Sequence, residues 1–422
     1  MTVTISNREA IATTELRDHA LKIVESAYKA IDTDSCIKEV VSLEGNKLLV
    51  GGNAFDIDKY RSISVIGFGK ASSKAALALE SILGEKITGG IILDKNPLIC
   101  SRVQVFQGSH PQPTSQNVEA SEKIATLSKS LTEEDLAIVI VSGGGSSLLC
   151  WPQSESDQGS RLYGEFLKSG GTINELNIIR KHLSGMKGGG LAKLLYPATV
   201  VSLILCDVPG EHYDIVASGP TYFDNTTVED AKALLERYKI HDDFTFVETP
   251  KDKSIFDHVY NVPVVSNGVA LVAMKKEAQA LGYEVLSVGQ EWYAPPIELV
   301  ETLIKMKAPK SVIIGGGEPA MTVSHGGGLG GRNEYVSSLM INKIPEDCVF
   351  VSFASDGIDN CSESAGGIID SKVRERSLTL LQSVDSYLQQ YKHDELLNDL
   401  DARIITGPTE ANVSDLFLMV CK

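Results

Sequence analysis

The residues best suited to chemistry are basic side chains set beside glycine-rich turns. Lys70 closes the segment Gly67-Phe68-Gly69, and Ser146 and Ser147 follow Gly143, Gly144 and Gly145 in SGGGSS (142–147). Arg332 ends a stretch that breaks on glycine at Gly315, Gly316 and Gly317. It resumes as a strand-like AMTVS (320–324), then breaks again at Gly326–Gly328 and Gly330–Gly331. Glycine lacks a Cβ, so backbone N–H groups in such turns can face inward and close on an anion. A helix beginning just beyond adds the positive end of its dipole. Arginine grips phosphate or carboxylate through two parallel hydrogen bonds, and a lysine ammonium acts as a point charge. These types at these places suit the binding of small anions, phosphates above all.

Two further groups are less sharp. Arg180, Lys181, His182 and Lys187 fall within NIIRKHLSGMKGGG (177–190). As one continuous helix, positions 180, 184 and 187 share a face, and Arg180, Ser184 and Lys187 point to one ligand. A solvated basic face gives the same spacing, and His182 alone fits a hydrogen-bonded core histidine better than a catalyst. Asp207 in DVPG and Asp356 in SDGID stand where apolar runs end. Carboxylates beside phosphate loops suit Mg²⁺, although either alone reads equally well as a turn or cap aspartate. GFGKASS is half a dinucleotide fingerprint. Its third glycine is missing, and the one acid near the required distance is Asp94. SGGGSS is neither a Walker loop nor a nucleophile elbow.

The elements that must carry these residues repeat a strand–turn–helix grammar. Thr14 caps an amphipathic helix whose apolar face is Leu16, Ala20, Leu21, Val24, Ala27 and Ile31. Asn46–Val50 reads as a small hairpin or edge element. Strands are predicted at 63–66, 90–93, 103–107, 136–141 and 199–206, with helices after Gly69, over 117–127 and over 172–194. The pattern loosens around 222–257 and then restarts. Strands follow at 262–266, 284–288, 311–314, 349–353, 402–405 and 416–421, with helices at 270–281, 295–306, 334–342 and 372–391. This predicts an α/β fold of two domains, each a mostly parallel, Rossmann-like sheet flanked by helices. The expected division is 1–250 and 251–422, with the last strands free to return towards the N-terminal domain. Ligands of such sheets sit beyond the carboxyl ends of the strands, so the active site is expected in a cleft between the domains.

Composition narrows the classes. A chain of 422 residues exceeds the size at which single cores stop growing. Net charge is −16, the reverse of a nucleic-acid binder, so anion binding requires a locally basic site. The seven cysteines are scattered and form no CxxC pair, which predicts reduced thiols and neither a disulfide framework nor structural zinc. No apolar run is long enough for a membrane span, and the polar first twenty residues lack a signal-peptide core. A cytoplasmic enzyme with no membrane and no nucleic-acid partner is expected.

Together the segments GFGKAS (67–72), SGGGSSLL (142–149), IRKHLSGMKGGGLA (179–192), DVPGEHYDIVASGPT (207–221), SNG (266–268), GGGEPAMTV (315–323), GGGLGGRNEY (326–335), SDGID (355–359) and TGPTEANVSDL (406–416) resemble the glycerate 2-kinase family, whose C-terminal half is the MOFRL domain. The resemblance implies phosphorylation of the 2-hydroxyl of D-glycerate by ATP with Mg²⁺ or another divalent cation, and a homodimer. It makes Lys70 and Arg332 the essential residues. From position alone, Asp207 is the candidate for metal contact or for accepting the hydroxyl proton, with Asp356 as second choice. Ser146, Arg180 and Lys187 are expected at the substrate. Gly143–Gly145, Ser147 and Gly315–Gly317 are expected at phosphates, and Asn267 and Glu318 near the nucleotide. The chain departs from the family pattern at Asn360 and Glu410, where glycine is usual, and at Ala320, where threonine is usual. Two other classes fit parts of the pattern: an NAD(P)-dependent hydroxypyruvate reductase, and a non-catalytic protein that binds a nucleotide or phosphometabolite.

Overall fold

The computed structural model describes residues 4–241, 243–321 and 328–422. Most of the strand-like AMTVS, together with Gly326 and Gly327, lies outside the described residues. The chain divides into a first unit of residues 33–206 and 212–264 and a second of residues 1–32, 207–211 and 265–422.

In the first unit, β1 (Val41–Glu44), β2 (Lys47–Val50) and β3 (Asn53–Asp56) form a small antiparallel sheet, where the sequence predicts a small hairpin or edge element. The main sheet holds β4 (Ser62–Phe68), β5 (Gly89–Asp94), β6 (Gln104–Gln107), β7 (Asp135–Val141), β8 (Thr199–Leu205) and β9 (Val259–Val265), in the order β6-β5-β4-β7-β8-β9. The pairings from β6 through β8 are parallel. Strand β7, DLAIVIV, is buried at every position, which is why its sequence is a continuous apolar run rather than an alternating one. The turns carrying Lys70 and SGGGSS lie at the carboxyl ends of β4 and β7, neighbouring strands in register.

The second unit's sheet runs β10-β11-β15-β12-β13-β14, from β10 (Glu284–Ser287), β11 (Ser311–Gly317), β12 (Cys348–Ala354), β13 (Gly366–Ile369), β14 (Arg403–Ile404) and β15 (Asp415–Cys421). The expectation of a mostly parallel sheet holds for the first unit and is corrected here. Among the described strands of this sheet only β10 and β11 pair in parallel, because β15 enters antiparallel between β11 and β12 and β13 folds back on β12. The last strand therefore lies in the middle of this sheet and does not return to the N-terminal domain. Leu299, Leu303, Ile313, Phe350, Phe417 and Met419 form the core beneath it.

Residues 1–32 also differ from a cut near residue 250. Helix Glu15–Ala30 buries the predicted face, Leu16, Ala20, Leu21, Val24 and Ala27, with Ile31 just beyond it. That face packs on helix Asn267–Ala280 and on β12 and β15. Tyr28 donates to the Ala354 carbonyl at 2.9 Å, and buried Arg17 pairs with Asp370 at 2.7 Å.

The cysteine expectation is corrected at one pair. Cys348 and Cys421 sit directly opposite each other on β12 and β15, both buried, and are joined as a disulfide. Their spacing of 73 residues carries no sign of this, because the register that unites them is a tertiary property. The other five cysteines are free thiols.

Asn360 and Glu410, which stand where the family has glycine, take φ of +62° and +58°. An L-residue in this left-handed region is strained by its Cβ, less so for Asn than for Glu. Glu410→Gly is therefore expected to raise the stability by about 0.5–1 kcal/mol after the extra unfolded-state entropy of glycine is subtracted. Urea melts of the two proteins check this. A lower midpoint for the glycine variant would show that Glu410's own contacts outweigh the backbone strain.

Candidate active site

Lys70 is held by backbone before its side chain does anything. Its N–H donates to the Gly143 carbonyl at 2.9 Å, and the Ala71 N–H donates to Ser142 Oγ at 3.2 Å. Gly69, at φ +120°, lies so close to Ser142 that a Cβ would meet its Oγ at 2.1 Å. The glycines of GFG thus serve the approach of two neighbouring strand ends. Asp94, the acid a dinucleotide fold would turn towards a ribose, is fully buried and caps helix Ser72–Leu83. It accepts from Ser73 N at 2.9 Å and Ser73 Oγ at 2.7 Å.

The Lys70 side chain extends over Gly144. A Cβ on Gly144 would lie 3.2 Å from Lys70 Cε and 3.1 Å from His110 Cδ2. Gly144 caps a short helix, Gly145–Leu148, that carries Ser146 and Ser147. Ser146 Oγ is 2.9 Å from Ser218 Oγ. Ser146, Ser147 and Arg180 line one pocket together with Tyr163 and Pro111–Pro113. The half-buried Arg180 guanidinium lies over the Tyr163 ring at 5.3 Å, and among the described residues it has no carboxylate partner. Burial, then the charges of Lys70, Lys95 and Arg180, push the His110 imidazole down to about 4, so it is neutral at pH 7. A chain of net charge −16 has thus gathered cations at one strand crest, as anion binding requires. His110 was missed in the sequence; its only signal is the SHPQP turn (109–113) that follows β6.

The shared helix face of Arg180, Ser184 and Lys187 is not formed. The helix Ile173–Lys181 stops, a turn follows, and helix Gly190–Leu195 begins. Lys187 is 1% exposed, pairs with Glu155 and donates to the Leu149 carbonyl at 2.8 Å. Its ammonium lies at the wall of the pocket that Ser146 and Arg180 also line, held there in a buried ion pair with Glu155. Lys181 pairs with Asp224 at 3.0 Å. His182 is buried between the Val247 carbonyl and Thr226 Oγ1, a satisfied core histidine.

In the second unit, Arg332 opens helix Arg332–Ile341 and is half-buried. Its Nη1 donates to Asp415 Oδ2 at 2.6 Å, and Nη2 lies 3.7 Å from Glu318. Asn333 joins Asp415 (2.7 Å) to Asp359 (3.2 Å), and Asp359 accepts from Glu334 N at 2.8 Å. Burial, with Asp415's charge adding, pushes Asp359 up to about 7, and burial followed by Asp359's charge pushes Glu334 up to about 8. This network fixes Arg332, and apart from Arg332 itself and Glu318 its members were not singled out in the sequence. Asp356, the second choice for the metal, accepts from Ile358 N at 3.3 Å in a turn.

Gly315–Gly317 are corrected from loop to strand. They pair with Phe417, Leu416 and Asp415 on β15, and Gly316 N donates to the Gly289 carbonyl at 3.0 Å. Side chains are excluded by packing. A Cβ on Gly315 would strike Phe417 at 2.3 Å, and one on Gly317, at φ +155°, would strike the Trp292 backbone at 2.3 Å. Asn267 is fully buried, accepting from Gly210 N at 3.3 Å and donating to the Gln290 carbonyl at 2.7 Å. It ties the segment of Asp207, itself half-buried, to the sheet crest. Among the described residues no group of three or more His, Cys, Asp or Glu side chains is placed to hold a metal.

His393 is buried between Tyr335 and Tyr391, at 4.8 and 6.0 Å, and among the described residues neither ring nitrogen has a hydrogen-bond partner. Burial lowers its pKa to about 4. With the folded value below the ordinary 6.5, its contribution is complete above about pH 6.5 and is lost as pH falls towards 4. His393→Phe is expected to raise stability by about 1–3 kcal/mol and to flatten this part of the acid limb. Chemical melts at pH 7 and pH 5 check it; equal losses in both proteins between those pH values would exclude His393 as the titrating group.

Two family models match successive parts of the chain. Residues 19–249 match a domain family described as being of unknown function (DUF4147), and residues 311–415 match the MOFRL family. A glycerate 2-kinase of Pyrococcus horikoshii is 30% identical over 96% of this chain and 97% of its own. A protein of Agrobacterium vitis named putative hydroxypyruvate reductase is 31% identical over 83% and 97%. The crystal structure of glycerate kinase from Thermotoga maritima superposes with a TM-score of 0.82 at 27% identity, covering 96% of this chain and 99% of that one.

Proposed function

Because the chain belongs to the glycerate 2-kinase family with its MOFRL half, we propose that it transfers the γ-phosphoryl group of ATP to the 2-hydroxyl of D-glycerate, giving 2-phospho-D-glycerate and ADP. The observation that carries this is the cationic crest of the first unit, where Lys70 and Arg180, which has no carboxylate partner among the described residues, face Gly144 and Ser146. Glycerate and the γ-phosphate are both anionic and must be held together, and positive charge set in advance is what phosphoryl transfer requires.

In this reading Arg180 and Ser146 hold the glycerate, and Lys70 takes the equatorial oxygens of the transferring group. Arg332, fixed by Asp415, is the second cation we assign to the transferring phosphoryl group. The bond from the γ-phosphorus to the bridging oxygen of ADP breaks, and the bond to the glycerate oxygen forms. The hydroxyl proton passes to Asp207. Asp207 and Asp356 offer the one or two carboxylate oxygens that Mg²⁺ takes alongside phosphate and water, and the ion when bound neutralises phosphate charge. A cytoplasmic homodimer is the form in which we expect it to act.

The test is ³¹P NMR of the product formed from ATP and D-glycerate with Mg²⁺. A 2-phosphoglycerate signal is expected; no phosphorylated glycerate at all would end the reading. The reductase alternative is disfavoured by Asp94, whose carboxylate is buried against Ser73. It predicts oxidation of NADH by hydroxypyruvate, which we expect to be absent.

A further inference from the structure

Ser266 precedes the fourteen-residue helix Asn267–Ala280 at the position where serine ordinarily caps a helix. Its hydroxyl makes no such bond. It is fully buried, and among the described residues Oγ has no hydrogen-bond partner. The next turn is bare of side chain at Gly268. A Cβ there would lie 2.9 Å from Gln290 Oε1, 3.2 Å from Ser266 Oγ and 3.3 Å from Glu211 Oε1, so three oxygens converge on one space. That space opens into a groove walled by Val272, Val285 and Ile314 at the edge strand β10 and its neighbour β11. Val272 is 69% exposed, which an apolar side chain of a packed helix has no structural need to be.

We propose that this groove of the second unit holds the nucleoside end of the phosphoryl donor, an inference that rests on the kinase reading above. The apolar walls offer a purine two faces to pack against, as ligand pockets of this kind do. Ribose hydroxyls are donors, and Glu211 and Gln290 present acceptor oxygens at the mouth. Ser266, left without a cap bond at a helix N-terminus, faces the position of the first phosphate, where the dipole and a free hydroxyl both favour an anion. The phosphates then have a direction. Asn267, the next residue, reaches Ser414 Oγ at 3.4 Å, and the neighbouring Asp415 holds Arg332. A triphosphate anchored at Ser266 runs towards the arginine that meets its far end.

The experiment is calorimetric titration of the full chain with ADP and, separately, adenosine, comparing wild type with Val272→Glu and Ser266→Ala. Val272→Glu is expected to weaken both ligands at least tenfold, since it charges the wall on which the base lies. Ser266→Ala is expected to weaken ADP several-fold and leave adenosine unchanged. Thermal melts show that each variant is folded, which the exposure of Val272 favours. ADP affinities within twofold of wild type in a folded Val272→Glu would overturn the groove while leaving the kinase reading intact, provided the wild type phosphorylates glycerate. Loss of ADP binding in that variant, in a protein that transfers no phosphate to glycerate, would uphold the groove and reject the reading. A wild type that binds no ADP overturns the groove.

Discussion

Lys70→Met is expected to lower kcat for glycerate phosphorylation about a hundred- to a thousandfold, the usual effect of removing one preorganised charge from a transition state. The side chain is exposed, so little stability rests on it. Its backbone bond to Gly143 and the packing of Gly69 on Ser142 survive the substitution, because both belong to the main chain. The strand ends therefore keep their approach, and only the ammonium over Gly144 is lost. A coupled assay for ADP release, run beside a thermal melt, separates chemistry from folding. An unchanged melting temperature with a collapsed kcat is the expected pair of results. A kcat within threefold of wild type would remove Lys70 from the transferring phosphoryl group.

Lys187→Met tests the opposite assignment. Glu155 and Lys187 are both buried, so methionine leaves a carboxylate without its counter-charge. Breaking such a pair costs about 3–5 kcal/mol, whereas replacing both partners by neutral groups of similar shape costs far less. Urea melts are therefore expected to show a large loss for Lys187→Met and partial recovery in the double variant with Glu155→Gln. Near-wild-type stability, joined to a tenfold rise in the KM for glycerate, would return Lys187 to the substrate.

These two lysines show where sequence reading works and where it stops. Lys70 lies at the crossing of two local signals, a strand end and a glycine turn, and local signals survive folding. Lys187 was read on a helix whose continuity no local signal guaranteed, and the chain turned after Lys181. The strand at Gly315–Gly317 was hidden for a related reason. Glycine is a poor strand former on propensity, yet it is required where Phe417 and the Trp292 backbone close in from elsewhere in the chain. The parallel sheet of the first unit was legible because each strand is followed by its own crossover. The antiparallel entry of β15 was not, since it depends on a strand about a hundred residues from its partner β11. Helix Gln153–Ser169 was missed, and the helix expected over 372–391 forms as two pieces, Ser371–Ser377 and Val384–Gln389. The Asn333 network could be read only as three separate motifs until register brought Asp359 and Asp415 to one side chain.

Residues 1–32 belong with residues 265–422, and this has a consequence during synthesis. When helix Glu15–Ala30 leaves the ribosome, the surface that will cover Leu21, Val24 and Ala27 is still more than two hundred codons away. The first unit can be completed while that apolar stripe waits uncovered. Nascent chains stalled between those points should bind holdase chaperones through their earliest helix and release them once β15 has been translated.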